Sequence, residues 1–191
     1  MTERIQNVHP LEYDGISYRS TLEANTARVL TLLHIPFKYE SRKITLLEGF
    51  KCPYEENKVR AITYTPDFEI PLSHGTVMLE CKGFETPEWK NKKKYLYKYL
   101  MEKEPDTKFF MLFNCKKDLL KALDNFLYDL GYCVEVTDKE GDSSVYSSVK
   151  EAVRKLSLEG IPYHGIINCF IDQAKTCGKH HWKLKRIEDT E

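Results

Sequence analysis

The chain has 191 residues, of which 41% are hydrophobic and 30% are charged, and its formal net charge at pH 7 is zero. This length accommodates one domain of ordinary size, or one domain with a small appendage. No apolar run approaches the roughly 18 residues of a transmembrane helix, so the sequence predicts no membrane span. A net charge of zero does not indicate a nucleic-acid partner, so only local basic patches can mark one.

The amino-terminal sequence and the cysteines favour a cytoplasmic protein. Residues 1–7 lack the apolar core that a secretory signal requires. The six cysteines are widely spaced and form no C-x-x-C pair. Several stand among apolar neighbours, where free cysteine behaves as a small hydrophobic residue. We therefore expect a cytoplasmic location and no membrane partner.

The first predicted helix begins after Ser20 and ends near His34, behind a polar lead-in over residues 1–17. Ser20 and Glu23 have the spacing of a capping box, and apolar residues then recur on one helical face. Glu23 therefore has a structural role available as the capping carboxylate. It is also the only acid within the helix, so a functional role stays open. Arg19, just before the cap, is equally open to a DNA-binding role and to an ordinary surface role.

The segment Tyr64–Gly83 predicts a β-hairpin and carries the chemically distinctive residues of the chain. Two runs of apolar and β-branched residues flank a Ser-His-Gly turn at positions 73–75. Alternation along the second run places Glu80 and Lys82 on one face. Asp67 stands on the first run, and pairing of the two runs brings it beside Glu80. Two carboxylates and an ammonium group held on a sheet favour a divalent-metal site with a cation next to it.

Helices and strands alternate around this hairpin. Thr86 and Pro87 start a helix directly after it, as N-cap and first helical residue. The lysines of that helix include Lys92 and Lys94, which are candidate phosphate contacts or ordinary solvated charges. Three further strands are predicted at residues 37–47, 108–114 and 132–136, and one further helix at residues 116–130.

The polar segment 138–144 predicts a linker between a domain of residues 1–140 and a small domain of residues 141–191. The small domain is expected to be mainly helical, because two short helices joined by a tight turn have the dimensions of a helix-turn-helix. Its C-terminal stretch is basic and aromatic, and Trp182 is expected to pack in its core. The candidate DNA contacts of this stretch are Lys179, His181, Lys183 and Lys185.

A zinc site is a further interpretation of the same C-terminal region. Two cysteines and two histidines lie close together in sequence, at Cys169, Cys177, His180 and His181. Their spacing matches no common zinc motif, so the sequence favours DNA binding over metal binding here.

The order of the predicted elements resembles that of the PD-(D/E)XK nuclease superfamily. The resemblance covers residues 10–136 and depends on Pro66-Asp67, Glu80-Cys81-Lys82 and the Ser20-x-x-Glu23 element. Within the superfamily, the chain looks most like phage nucleases and junction-resolving enzymes. Residues 145–185 resemble the small DNA-binding unit of phage homing endonucleases. The matching residues are the Ser148-x-x-Glu151-Ala152 opening, residues 167–169 and the Gly178-x-His180-His181-Trp182-Lys183 close.

The resemblance implies an α/β fold of the restriction-endonuclease type, with a mixed sheet flanked by helices, and a metal-dependent DNA endonuclease. It implies that Asp67, Glu80 and the backbone carbonyl of Cys81 hold Mg²⁺ or Mn²⁺. It also implies that Lys82 orients the attacking water and stabilises negative charge. Glu23 would complete the acidic cluster, at a second metal or through water. DNA is then the partner, a homodimer is one arrangement open to the protein, and a phage gene expressed in a bacterial host fits the cytoplasmic expectation.

Three other interpretations stay open at the level of the sequence. Tyr64–Gly83 is an ordinary charged hairpin if Glu80 and Lys82 form only a cross-strand salt bridge. A structure-selective nuclease that resolves Holliday junctions would use the same chemistry as a homing endonuclease. A catalytically inactive DNA-binding accessory protein is the third, although intact Asp67, Glu80 and Lys82 argue against it.

Overall fold

A computed structural model describes residues 11–190 of the chain, with side chains for residues 11–188. These residues form a mixed α/β structure with five α-helices and several β-sheets. Within this range, no helix combines the length and the apolar character needed to cross a membrane. The first ten residues of the predicted lead-in lie outside the described residues.

The helices and strands are numbered in chain order. They are β1 (Leu11–Tyr13), β2 (Ile16–Tyr18), α1 (Thr21–Leu32), β3 (Lys38–Tyr39), β4 (Ile44–Leu47), β5 (Ile62–Tyr64), β6 (Phe68–Pro71), β7 (Thr76–Cys81), α2 (Pro87–Lys103), β8 (Lys108–Leu112), α3 (Cys115–Leu123), β9 (Tyr132–Thr137), β10 (Ser143–Tyr146), α4 (Val149–Lys155), α5 (Tyr163–Phe170) and β11 (His181–Arg186). A short 3-10 helix follows at Ile187–Thr190.

The chain divides into two compact units. The sheet unit comprises Phe37–Phe113, and the terminal unit combines the described parts of Met1–Pro36 and Asn114–Glu191. The sheet unit therefore contains the whole predicted hairpin, while the terminal unit contains the first helix and the C-terminal region.

The sheet unit is organised around a four-stranded sheet in the order β3–β6–β7–β8. β6 and β7 form the predicted hairpin, which is antiparallel and has Phe68 opposite Leu79. β8 pairs parallel to β7, and helix α2 makes the connection between them. The hairpin turn requires a glycine, because Gly75 has a φ of +89° and a side chain there would clash with the backbone of Asp106.

Helix α2 packs its apolar stripe against one face of this sheet. It begins as predicted, with the Thr86 hydroxyl oxygen accepting the N–H of Trp89 at 3.1 Å. The buried cluster on this face comprises Ile44, Tyr64, Met78, Trp89, Leu96 and Leu100. Full burial of each large apolar side chain stabilises the fold by about 1.5–3 kcal/mol. Glu80 lies on the same face as Met78, two residues earlier on β7, so its carboxylate borders this apolar cluster.

The predicted strand over residues 37–47 consists of two separate strands. β3 pairs with β6, whereas β4 pairs with β5 in a second, two-stranded sheet. The break lies at Glu40, whose φ of +43° is incompatible with a continuous strand. Because apolar and polar residues still alternate on both sides of Glu40, the sequence alone gave no sign of the break.

The terminal unit combines helices α1, α3 and α5 with a three-stranded sheet in the order β10–β9–β11. The Tyr132 hydroxyl, at the start of β9, donates to the backbone oxygens of Leu33 and His34 beyond α1, at 3.0 Å each. Trp182 on β11 is 1% exposed, and its Nε1 donates to the Cys177 carbonyl at 2.9 Å. Trp182 therefore packs in the core, as predicted.

Two further segments of the terminal unit differ from expectation near its beginning and middle. Residues 11–18 form the hairpin β1–β2 within the predicted polar lead-in, because three-residue strands are too short to show a periodic pattern. The helix predicted over 116–130 ends at Leu123, and the chain continues in turns to Gly131. Directly after its end, the carboxylate of Asp124 accepts the N–H groups of Val149 and Lys150 at 2.5 Å and 3.0 Å.

The predicted linker at residues 138–144 is the turn between β9 and β10. The Asp138 carboxylate accepts the N–H groups of Glu140 and Asp142 at 2.9 Å each, as in an Asx turn. The predicted boundary between residues 140 and 141 falls in this turn. The strands before and after the turn, β9 and β10, pair with each other in one sheet. Residues 141–190 contain the two predicted short helices together with β10 and β11, which the sequence did not predict.

Candidate active site

Glu80 is a buried carboxylate at the end of β7, with an exposed fraction of 2%. Its Oε2 accepts the hydroxyl of Tyr64 at 2.7 Å, and its Oε1 lies 2.6 Å from the ammonium nitrogen of Lys82. Burial raises the pKa of Glu80, while Lys82 and Tyr64 act in the opposite direction. Burial also raises the pKa of the Tyr64 hydroxyl, which therefore stays protonated and donates. Both carboxylate oxygens are thus held by donors in one orientation.

Asp67 is placed beside Glu80 by the hairpin register. Phe68, the first residue of β6, pairs with Leu79 on β7. Asp67 directly precedes Phe68, so the same antiparallel register puts Asp67 opposite Glu80. Residues opposite each other in an antiparallel pair project from the same face of the sheet. The Asp67 Oδ2 accepts the backbone N–H of Cys81 at 2.7 Å. The register therefore places Asp67 opposite Glu80, and the ion pair joins Lys82 to Glu80, whereas a shared metal site stays a prediction.

The ion pair that an ordinary charged hairpin would contain is also present. It joins Lys82 to Glu80 along one strand, however, and does not cross between strands. The Lys82 ammonium nitrogen also lies 5.0 Å from the centroid of the Trp89 ring, a cation–π distance. Trp89 is buried, and its Nε1 has no hydrogen-bond partner among the described residues.

Lys92 and Lys43 bring further positive charge to this face. Lys92 is half-buried on α2 and interacts electrostatically with Glu80. Burial lowers the pKa of Lys92, Glu80 opposes this, and the charges of Lys82 and Lys43 lower it further. Lys94, the other candidate on this helix, is exposed, and its Nζ lies 3.3 Å from Asn91 Oδ1.

A second acidic side chain on this sheet, Glu69, is neutralised by Arg42. The Arg42 Nε donates to Glu69 Oε1 at 2.8 Å, and its two terminal nitrogens donate to Glu104 at 2.6 Å and 2.8 Å. The Ser41 hydroxyl also donates to Glu69. The bonds from Arg42 lower the pKa of Glu104. Glu69 is therefore a bracing residue between the sheet and α2, and its negative charge is already paired.

The donor chemistry of Asp67 and Glu80 fits a hard divalent cation. Mg²⁺ commonly takes one or two carboxylates and keeps several waters. Among the residues with described side chains, no group of three or more His, Cys, Asp and Glu is arranged to hold a metal ion. In the C-terminal region, burial raises the pKa of the Cys169 and Cys177 thiols, which disfavours the thiolate that zinc requires.

Comparison of the chain with known protein families, with curated proteins and with solved structures finds no match. The function is therefore inferred from the residues and the geometry of the chain itself.

Glu23 and Arg19 lie in the terminal unit, at the start of α1. The Ser20 hydroxyl donates to Glu23 Oε1 at 2.7 Å, and the Glu23 N–H donates to the Ser20 Oγ at 3.2 Å. The Arg19 N–H donates to Glu23 Oε2 at 3.2 Å. This arrangement confirms the predicted capping box, and it keeps Glu23 buried at 6% exposure. A catalytic role for Glu23 and a DNA-binding role for Arg19 stay predictions.

The basic residues of the C-terminal region differ in their surroundings. His181 and Lys183 are exposed on β11, and Lys179 is exposed in the preceding turn with a φ of +65°. Lys185, by contrast, is half-buried, and its Nζ lies 2.5 Å from Glu135 Oε1 on β9. Three of the four candidates therefore present their charge to solvent, whereas Lys185 is paired across strands.

Sequence reasoning missed the roles of Tyr64, Lys43 and Arg42. Tyr64 ends β5, before the paired strands β6 and β7, and only folding brings its hydroxyl to Glu80, 16 positions away. Arg42 and Glu104 are 62 positions apart. Lys43 acts on Lys92 of α2, 49 positions later in the chain, so no local pattern marked it.

Proposed function

We propose that this protein is a divalent-metal-dependent endonuclease that hydrolyses phosphodiester bonds in DNA. The observation that carries the proposal is the buried Glu80 carboxylate, with the Lys82 ammonium nitrogen 2.6 Å away and Asp67 on the paired strand. Phosphodiester hydrolysis requires hard oxygen ligands for a cation and a fixed positive charge where negative charge develops. This face of the sheet offers both.

Each residue of the site has a defined task in this proposal. Asp67 and Glu80 would hold Mg²⁺ or Mn²⁺, with the Cys81 backbone carbonyl as the third ligand that the resemblance implies. The bound cation supplies Lewis-acid polarisation of a phosphate oxygen and a lower pKa for its water. Lys82 orients the attacking water and stabilises the negative charge that develops on the phosphate. Tyr64 keeps the Glu80 carboxylate in position through its hydrogen bond of 2.7 Å.

The proposed fold of the sheet unit is of the restriction-endonuclease type. Its support is the strand order β3–β6–β7–β8, with an antiparallel hairpin followed by a helix and a strand parallel to β7. The candidate residues stand at the end of β7 and at the start of β6, where neighbouring strands present side chains on one face.

The proposed substrate is DNA, and the proposed class is a phage-type homing endonuclease with a C-terminal DNA-binding unit. Exposed cationic side chains support this, because backbone phosphates are bound by such groups. They include Lys94 on α2, and Lys179 and Lys183 in the C-terminal region, where His181 is also exposed. The two short helices α4 and α5 are the candidate helix-turn-helix.

The test is DNA cleavage by the purified full-length protein. Linear duplex, a four-way junction and phage genomic DNA are each incubated with Mg²⁺, Mn²⁺ or a chelator, and the cuts are mapped. We expect metal-dependent cleavage that falls at least 100-fold in Lys82→Ala, the size of loss produced by removing one transition-state donor. Cleavage should also fall in Asp67→Asn, which removes the charge of a proposed metal ligand. Lys98→Ala, an exposed site on α2, serves as the matched control.

Two outcomes would change the conclusion. Undiminished cleavage by Asp67→Asn and Lys82→Ala would show that the site is wrongly assigned. Cleavage restricted to the four-way junction would replace the homing endonuclease by a junction-resolving enzyme that uses the same residues.

A further inference from the structure

We propose that Lys43 and Lys92 form a phosphate-binding pair beside the candidate active site, and that the pair holds a backbone phosphate of the nucleic-acid substrate. The identity of the ligand rests on the proposed function, whereas the binding of an anion follows from the site itself. Three features carry the inference: where the two side chains stand, how the nearby carboxylates are already engaged, and which donors stay unused.

Lys92 stands on the buried stripe of helix α2. It lies three residues after Trp89 and four before Leu96, and both of those side chains belong to the apolar cluster against the sheet. Lys92 therefore points towards the face of β7 that carries Glu80, and it interacts electrostatically with that carboxylate. Removing part of an ammonium group from water is unfavourable unless a partner compensates. Glu80 supplies part of this compensation, but it is shared with Lys82 and Tyr64, so a second negative charge would stabilise Lys92 further.

Lys43 approaches the same place from a different part of the sheet unit. It directly precedes β4, whose first residue, Ile44, is buried in the cluster with Trp89. Lys43 is exposed, so its ammonium group lies at the solvent side of the site. The charges of Lys43 and Lys82 both disfavour the ammonium form of Lys92. Lys43 and Lys82 are therefore close enough to Lys92 for their charges to act on it.

Among the described residues, the donors that reach the nearby carboxylates do not include Lys43 or Lys92. Glu80 is held by Lys82 and by the Tyr64 hydroxyl, and Asp67 accepts the N–H of Cys81. Glu69, the third acid on this sheet, is paired with Arg42. Within the described side chains, neither Lys43 nor Lys92 forms an ion pair or a hydrogen bond.

An anion is the partner that completes this arrangement. Three ammonium groups face two carboxylates, so the site carries surplus positive charge. The buried Trp89 Nε1 is an additional donor without a partner among the described residues. Lysine binds phosphate as a point charge and tolerates its tetrahedral geometry. A phosphodiester held by Lys43 and Lys92 would lie next to Lys82, where the proposed reaction needs it.

The test measures how salt weakens binding of the full-length protein to a fluorescently labelled linear duplex and a labelled four-way junction, in a chelator. Each phosphate contact contributes about 0.9 to the slope of log affinity against log salt concentration. The double variant Lys43→Gln/Lys92→Gln should therefore lower the slope by about 1.8, and Lys43→Arg/Lys92→Arg should retain it. The control Lys98→Gln removes a charge whose side chain is 72% exposed on the same helix, and it should leave the slope unchanged.

The outcomes separate this inference from the proposed function. A double variant with the wild-type slope overturns the phosphate-binding pair, and so does wild-type protein that binds neither DNA. If the double variant does not fold, the exposed single variant Lys43→Gln decides the question, with an expected loss of about 0.9. Cleavage is assayed in parallel with Mg²⁺. Its absence overturns the proposed nuclease, while the salt slopes still decide the pair.

Discussion

Tyr64→Phe removes one hydroxyl group from the candidate active site and leaves the ring in place. The ring packs 5.7 Å from that of Trp89, and Tyr64 is 3% exposed, so phenylalanine keeps the apolar contacts. The hydroxyl donates to Glu80 Oε2 at 2.7 Å. The substitution therefore tests the contribution of one hydrogen bond to one buried carboxylate.

The expected loss of stability at neutral pH is about 2 kcal/mol, because a hydrogen bond to a charged group contributes about 1.5–3 kcal/mol. Tyr99→Phe is the matched control. Its hydroxyl donates to Glu104 Oε1 at 3.1 Å, but Glu104 keeps two hydrogen bonds from Arg42. We expect the control to lose less than about 1 kcal/mol.

The loss should depend on pH in a definite direction. Burial raises the pKa of Glu80 in the folded protein, and Tyr64 opposes that rise. Tyr64→Phe raises the Glu80 pKa further. A carboxyl group with a raised folded-state pKa stabilises the fold below its unfolded pKa, and this contribution disappears as pH rises through the folded value. As pH rises, the variant loses more of this stabilising contribution than the wild type does. The difference in unfolding free energy between the two proteins is therefore largest at neutral pH. It becomes smaller at pH values below 4.5, the ordinary pKa of a glutamate side chain.

Urea unfolding followed by tryptophan fluorescence provides the measurement. The wild type, Tyr64→Phe and Tyr99→Phe are all compared in a Trp182→Phe background. This background removes one of the two tryptophans of the chain, so the fluorescence comes from Trp89 beside Tyr64. A difference below about 0.5 kcal/mol at neutral pH, the size of an ordinary surface substitution, would refute the reasoning. An equal difference at neutral and acidic pH would show that the hydroxyl does not act through the charge of Glu80.

Two further predictions concern the terminal unit. Trp182→Ala should lower the free energy of unfolding by about 3–5 kcal/mol, as truncation of a buried tryptophan does, whereas the exposed neighbour Lys183→Ala should change it by less than about 0.5 kcal/mol. Thermal unfolding measures both, and equal effects would contradict the packing of β11. Asp124→Ala should cost about 1.5–3 kcal/mol, because the first two amides of α4 lose their carboxylate acceptor. Hydrogen exchange of those amides should accelerate relative to the exposed control Asp129→Ala, and unchanged exchange would remove Asp124 from this role.

The parts of the fold that were predicted correctly depend on neighbours in the chain. The N-cap residues Ser20 and Thr86 predicted the starts of α1 and α2, because an N-cap hydrogen bond joins residues only three positions apart. Apolar alternation and the turn at 73–75 announced the hairpin β6–β7. The same alternation put Glu80 and Lys82 on one face, where the ion pair of 2.6 Å now joins them. Local geometry fixes each of these features, so no other segment had to be known.

Other features were decided by segments far apart in sequence. β11 is a strand because β9 supplies its backbone partners, with Trp182 opposite Val136. The segment 138–144 is a turn because the strands on either side of it pair, although its composition is that of a linker. The start of α4 is capped by the Asp124 carboxylate, which lies 25 positions earlier in the chain. Pairing and capping across such separations leave no periodic signal in the sequence.

The sequence by itself determined the chemical identity of the candidate site, since Asp67, Glu80 and Lys82 follow from one hairpin and its alternation. The tertiary structure decided the environment of that site. It buried Glu80, supplied the Tyr64 hydroxyl and paired Glu69 with Arg42. It left Lys43 and Lys92 without an ion pair or a hydrogen bond among the described side chains. Burial and local charge depend on which distant segments pack together. Burial and local charge also set the pKa of the Glu80 carboxyl group and the surplus positive charge beside it.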